Sequence, residues 1–181
     1  SRTGAMVEIP SFYPYLTARQ NLEYYRIQRG IPGKECVDEA LEQVRLTDTG
    51  KKKFKAFSLG MNQRLGLALA LMNHPEFLLL DEPINGLDPE GIVEFRNLLL
   101  DLNRQRETTI LISSHILSEL SNVATHFGFL DKGHMLEQIS AQKLQEKCRA
   151  CLQLTVDDAS RAALALEQRL GTRDYEVLPG N

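Results

Sequence analysis

The sequence predicts an α/β fold, a parallel sheet with flanking helices, carrying an α-helical subdomain. Three observations lead there. FLLL at 77–80, followed by Asp81, is a short continuous apolar run of the kind a parallel strand shows when buried on both faces. TTILIS at 108–113 is a second such run, and helical patterns lie between and after them, which is the alternation of an α/β sheet. Residues 17–73 read as helical instead.

The elements follow in order. Thr17 with Gln20 three residues later is a capping-box pattern, and the helix it opens runs through LEYYRIQ to a stop at Gly30, with Pro32 beyond. Val37, Leu41 and Val44 keep helical spacing, with Ala40 alongside. KKKFK at 51–55 reads as a solvated basic loop. A third helix starts near Ser58 and ends at Asn73, with Leu65, Leu69 and Met72 on one side. After the first strand, Pro89 suits the first turn of a helix that runs to Arg104. Residues 116–124 form a further helix. FGFLD and MLEQI flank Lys132-Gly133 as a hairpin. The tail, CLQLTVDD, ASRAALALEQRL and DYEVL, reads β-α-β. The segments expected are therefore 1–16, a helical subdomain 17–73, an α/β core 74–146, and the start of a small accessory region at 147–181.

Composition narrows the function classes. The chain has 181 residues, 43% hydrophobic and 25% charged, which are ordinary globular values. Its formal net charge is -3, so it carries no general footprint for nucleic acid. The longest apolar stretch, Leu67–Met72, is far short of the ~20 residues that span a bilayer. Three cysteines argue against a disulfide framework and fit a reducing compartment. Cys148 and Cys151 form one CxxC, read here as a helix-to-strand junction rather than a zinc site. The chain opens without an initiator Met, and both of its ends are expected to cut through folded units.

The chemistry concentrates at strand ends. In an open parallel sheet, ligands sit at the carboxyl edge. Asp81 there can hold Mg²⁺, and Glu82 beside it can orient a water for attack on a phosphate. The second strand ends in Ser113, Ser114 and His115, which puts His115 at the same edge near Glu82. Asp88, within NGLDP at 85–89, is a turn and helix cap on its own. Ser58 opens a helix whose first-turn amides and dipole favour an anion, and Gly60 permits close backbone approach.

Together these motifs resemble the nucleotide-binding subunits of ABC transporters. FSLGMNQR at 57–64 resembles the signature LSGGQ with its following Gln-Arg pair, which brings in Gln63. LLLDEP at 78–83 matches the Walker B strand with the catalytic Glu, NGLDP the D-loop, and His115 the switch histidine. The style is that of the bacitracin and lantibiotic peptide group, on GAMVEIPSFYPYLTARQNL at 4–22 and SLGMNQRLGLALAL at 58–71. Three departures stand out. No GxxxxGK[ST] occurs, so the phosphate loop of such P-loop ATPases is expected upstream of residue 1. Glu8 stands where most of the family has the Q-loop Gln, and an ionised carboxylate cannot donate a hydrogen bond. Leu59 and Met61 replace a Gly and the Gln of the signature.

The resemblance implies an ATPase with ATP and Mg²⁺ as cofactors, peripheral to the cytoplasmic face of a bacterial membrane. It implies transmembrane permease subunits and a second nucleotide-binding subunit, identical or not, as partners. Glu82 and His115 would be catalytic, Asp81 the Mg²⁺ ligand, and Ser58, Gly60, Gln63, Asp88 and Glu8 nucleotide contacts. Phe12, Tyr13, Tyr15, Tyr24 and Tyr25 read either as core or as a groove for the permease. A soluble ATPase of the DNA-repair class would need a long coiled-coil insertion, for which residues 74–140 have no room. A non-catalytic module, lacking the phosphate loop, stays open.

Overall fold

The computed structural model describes residues 2–8, 10–148 and 155–171. It divides into one unit over Ser1–Ala141 and a second over Gln142–Asn181.

The first unit is built on three parallel strands, β1 (Thr3–Met6), β2 (Phe77–Asp81) and β3 (Thr109–Ser113), side by side in that order. Met6 pairs with Leu80, and Asp81 with Ser113, so the three carboxyl ends come level at one edge. β1 is a strand that the sequence did not announce, because TGAM is short and half small residues.

Between β1 and β2 come three helices: α1 (Ala18–Gln28), α2 (Glu35–Gln43) and α3 (Leu59–Leu71). Their starts follow from their caps. The Thr17 hydroxyl accepts from the Gln20 amide at 3.2 Å, and Gln20 Oε1 accepts from the Thr17 amide at 3.0 Å. Ser58 Oγ accepts from the Met61 amide and opens α3. α4 (Pro89–Arg106) begins on Asp88, whose Oδ1 accepts from the Gly91 amide.

These helices and the inner face of the sheet share one core. Leu22, Leu65, Leu67, Leu78 and Leu80 are fully buried, and Phe95 of α4 is 1% exposed. Each such side chain contributes about 1.5–3 kcal/mol through burial. Gly66 lets the segment after β1 lie against α3. A Cβ there would stand 2.3 Å from Pro10 Cγ, which no packing tolerates.

Two expectations need correction. The strand at 77–81 is buried on one face only: Leu78 and Leu80 are buried, but Leu79 is 41% exposed and Leu111 on β3 54%. Both faces of a parallel sheet need a covering layer, and the described residues supply helices on one. The helix at 116–124 shrinks to α5 (Leu117–Leu120). Ser121 Oγ and Asn122 Nδ2 both donate to the Ser118 carbonyl, side-chain bonds that compete with helical ones.

β4 (His126–Asp131) and β5 (His134–Ser140) form the expected antiparallel hairpin. Lys132 and Gly133 at its tip both have positive φ, as a tight turn matching the strand twist requires. The second unit is described through α6 (Ala141–Lys147), which starts at the boundary, and α7 (Ala159–Ala165), capped by Asp158. The flanking strands expected around α7 fall mostly on 149–154 and 172–181, outside the described residues.

Candidate functional site

The site forms at the carboxyl edge of the sheet, where three chain segments leave their strands together. Glu8 follows β1, Glu82 follows β2, and His115 follows β3.

Asp81 ends β2 opposite Ser113. The Ser113 hydroxyl donates to Asp81 Oδ1 at 2.5 Å and accepts from the Glu82 amide at 3.1 Å. One serine therefore sets the carboxylate of Asp81 and the backbone of Glu82. The Ser113 carbonyl accepts from the same amide at 3.2 Å.

Glu82 adopts φ +46°. For a residue with a side chain, this region costs about 1–2 kcal/mol. Arg45, Glu107 and Lys132 share it, but they sit at helix ends or a hairpin tip where the chain must reverse. Glu82 lies between the last strand residue and Pro83, and the turn brings its carboxylate 3.0 Å from His115 Nδ1. The Glu82 side chain is 23% exposed and that of His115 64%. An ionised carboxylate only accepts hydrogen bonds, so His115 Nδ1 is the donor. His115 Nε2 can then donate to an anion only in the doubly protonated ring.

Glu8 is exposed, and its carboxylate accepts from Asn85 Nδ2 at 2.7 Å. Its carbonyl accepts from Gln63 Nε2 at 2.8 Å. Gln63 is 1% exposed, and its Oε1 has no hydrogen-bond partner among the described residues. The Gln63 side chain thus lies in the core, with its amide on the Glu8 carbonyl.

The start of α3 forms a second group. Ser58 is exposed and caps the helix. A Cβ on Gly60 would meet only Leu87 Cδ2, at an ordinary 3.8 Å. The chain's own packing therefore does not require glycine there, unlike at Gly66. Leu59 and Leu87 line the contact between α3 and the loop that follows Glu82. Asp88 caps α4 and is exposed.

The sequence reading brought Glu82, His115 and Asp81 to one edge, and the structure places them there. It missed Ser113 and Asn85. Both lay inside motifs already singled out, SSH and NGLDP, but their partners, Asp81 and Glu8, are distant in sequence, so no local signal marked them.

Among the described residues no cluster of three His, Cys, Asp or Glu side chains is arranged for a metal. Mg²⁺ does not need one. It commonly binds through one or two carboxylates, with waters and substrate phosphates completing the shell. Asp81, exposed and held by Ser113, fits that role.

Residues 1–85 match the family described as ABC transporter. The bacitracin transport ATP-binding protein BcrA of Bacillus licheniformis is 47% identical over 97% of this chain and 58% of its own length. The lantibiotic transport ATP-binding protein SrtF of Streptococcus pyogenes is 38% identical over 80% of this chain and 64% of its own length. The chain thus spans about three-fifths of these relatives. Among solved structures, cbiO1 of Clostridium perfringens, part of the ABC transporter complex cbiONQ, superposes with TM-score 0.72. That match covers 94% of this chain and 64% of the other at 21% identity, and it establishes the fold alone.

Proposed function

The chain belongs to the ABC transporter ATP-binding family, and from that premise we propose that the whole protein hydrolyses MgATP to drive a membrane permease. The observation that carries the reading is the pairing of Glu82 with His115 at the sheet edge, beside Asp81. Two of the chain's relatives are named for bacitracin and lantibiotic transport, which makes a peptide antibiotic the proposed cargo class.

Each residue has a stated task. Asp81, set by Ser113, would hold Mg²⁺, which neutralises phosphate charge when bound. Glu82 accepts a hydrogen bond from the attacking water and so aligns and polarises it. His115 steadies the Glu82 carboxylate through Nδ1 and, when doubly protonated, offers Nε2–H to a phosphate oxygen. Ser58 and Gly60 would meet a nucleotide held by a second ATP-binding subunit, with the unpaired amides of α3 aimed at phosphate. Leu87 Cδ2 would be the one near neighbour of a Cβ on Gly60, at an ordinary 3.8 Å, so packing within the chain does not explain the glycine, which supports a close approach from outside. Glu8 and Asp88 would contact the nucleotide from the margin of the site.

Partners and location belong to the same proposal. Among the described residues no helix is long and apolar enough to cross a membrane. The protein would bind peripherally at the cytoplasmic face through permease subunits. Tyr13 and Tyr15, 44% and 71% exposed, would form the contact. Phe12, by contrast, is buried with its ring 5.2 Å from Phe54, so the aromatic cluster divides between core and surface.

The test is phosphate release by the intact protein assembled with its permease. Mg²⁺-dependent turnover lost on Asp81→Asn is expected. Turnover that survives both chelation and that substitution would overturn the reading.

A further inference from the structure

We propose that Glu8 is a positioning residue that brackets the catalytic loop 82–88 to helix α3, using its backbone on one side and its carboxylate on the other. The bracket has three members. Gln63, buried in α3, donates from Nε2 to the Glu8 carbonyl at 2.8 Å. Glu8 Oε1 accepts from Asn85 Nδ2 at 2.7 Å. Asn85 belongs to the tight turn that carries Glu82, since its amide donates to the Glu82 carbonyl at 3.2 Å. A hydrogen-bonded path through side chains and backbone thus runs from α3 through the segment after β1 to the residue that faces His115.

The chemistry of each group explains the choice. α3 is a fixed reference, because Leu65 and Leu67 on it are fully buried. Gln63 already leaves Oε1 unpaired in that core, so losing the Glu8 carbonyl would strand its donor as well. The Glu8 carboxylate is acceptor-only, and the Asn85 amide group is a matching donor. Because Glu8 is exposed, the contact adds little to overall stability. Its effect is on where the loop sits.

This deepens the ATPase reading and rests on it for the assignment of Glu82, but the bracket itself can be measured without catalysis. Asn85→Asp sets a carboxylate against Glu8 and should open the contact. Glu8→Gln keeps an acceptor oxygen and should leave it closed. Glu8→Gln with Asn85→Asp reverses the donor and acceptor and should restore it. The intact nucleotide-free subunit is followed by amide hydrogen exchange over 84–88, and the same variants by kcat and KM for MgATP. Asn85→Asp is expected to speed exchange about tenfold and lower kcat by a similar factor, with KM unchanged. The double variant should recover both. Exchange in Asn85→Asp equal to wild type, or a double variant no better than the single one, overturns the bracket. Recovery of exchange without recovery of kcat overturns its positioning role. A wild-type subunit without turnover would instead defeat the ATPase reading, while the exchange series still decides the bracket.

Discussion

Glu82 permits two substitutions with opposite signatures. Glu82→Gln keeps the shape and can still offer an amide oxygen to His115 Nδ1, which stands 3.0 Å from Glu82 Oε2, so the fold should change by less than about 0.5 kcal/mol. It removes the charge that polarises water, so kcat in the intact subunit should fall by about 10²–10⁴. At 1.36 kcal/mol per tenfold, that is roughly 3–5 kcal/mol of barrier. Glu82→Gly should abolish turnover equally but act differently on stability. The φ of +46° costs a side-chain-bearing residue about 1–2 kcal/mol, and glycine escapes it. Glycine's extra freedom in the unfolded chain returns about 0.5–1 kcal/mol. The net is between about 0 and 1.5 kcal/mol of stabilisation, a rise of at most roughly 6 °C in Tm. Phosphate release measures the first effect, and thermal unfolding by circular dichroism the second. A Glu82→Gln protein within about threefold of wild-type kcat would refute the base assignment. A Glu82→Gly protein that melts well below wild type would refute the claim that the turn is strained for chemistry.

These 181 residues alone should bind MgATP only weakly, because they contain no GxxxxGK[ST] segment and the phosphate loop supplies much of the phosphate contact in such sites. Calorimetry returning a micromolar Kd would contradict this. Tyr13→Ala with Tyr15→Ala should weaken capture of the permease and uncouple transport while sparing basal ATPase activity. Tyr15 stacks under Lys55 and Tyr13 edges against Tyr24, both at the surface, so unfolding of the double variant would show a structural role instead. The hydrogen bond from Arg26 holds the Glu23 carboxylate below its ordinary range, aided by the Arg26 charge and opposed by burial. A depressed folded value means stability that is present above the unfolded pKa of about 4.3 and lost as pH falls through the folded one. Urea unfolding from pH 6 down to pH 3 should therefore show a small acid loss that is absent in Glu23→Gln.

Much of the candidate site was legible because its chemistry is local in sequence. Asp81 and Glu82 close one apolar run, and His115 follows another, so naming two strands placed all three at sheet ends. The caps at Thr17, Ser58 and Asp88 were equally readable, since a cap and its amide lie three residues apart. What stayed hidden were relations between distant segments. Gln63 reads as part of a ligand motif, yet the fold buries it and spends its amide on Glu8. Glu8 and Asn85 are far apart along the chain and meet only because β1 and β2 run parallel and end level. β1 itself carries too few apolar residues to announce a strand, and its pairing with β2 creates it. The exposure of Leu79 and Leu111 was not in the apolar pattern either. A run such as FLLL records that both faces suit a dry environment, whereas the layers packed around a sheet decide which face is dry.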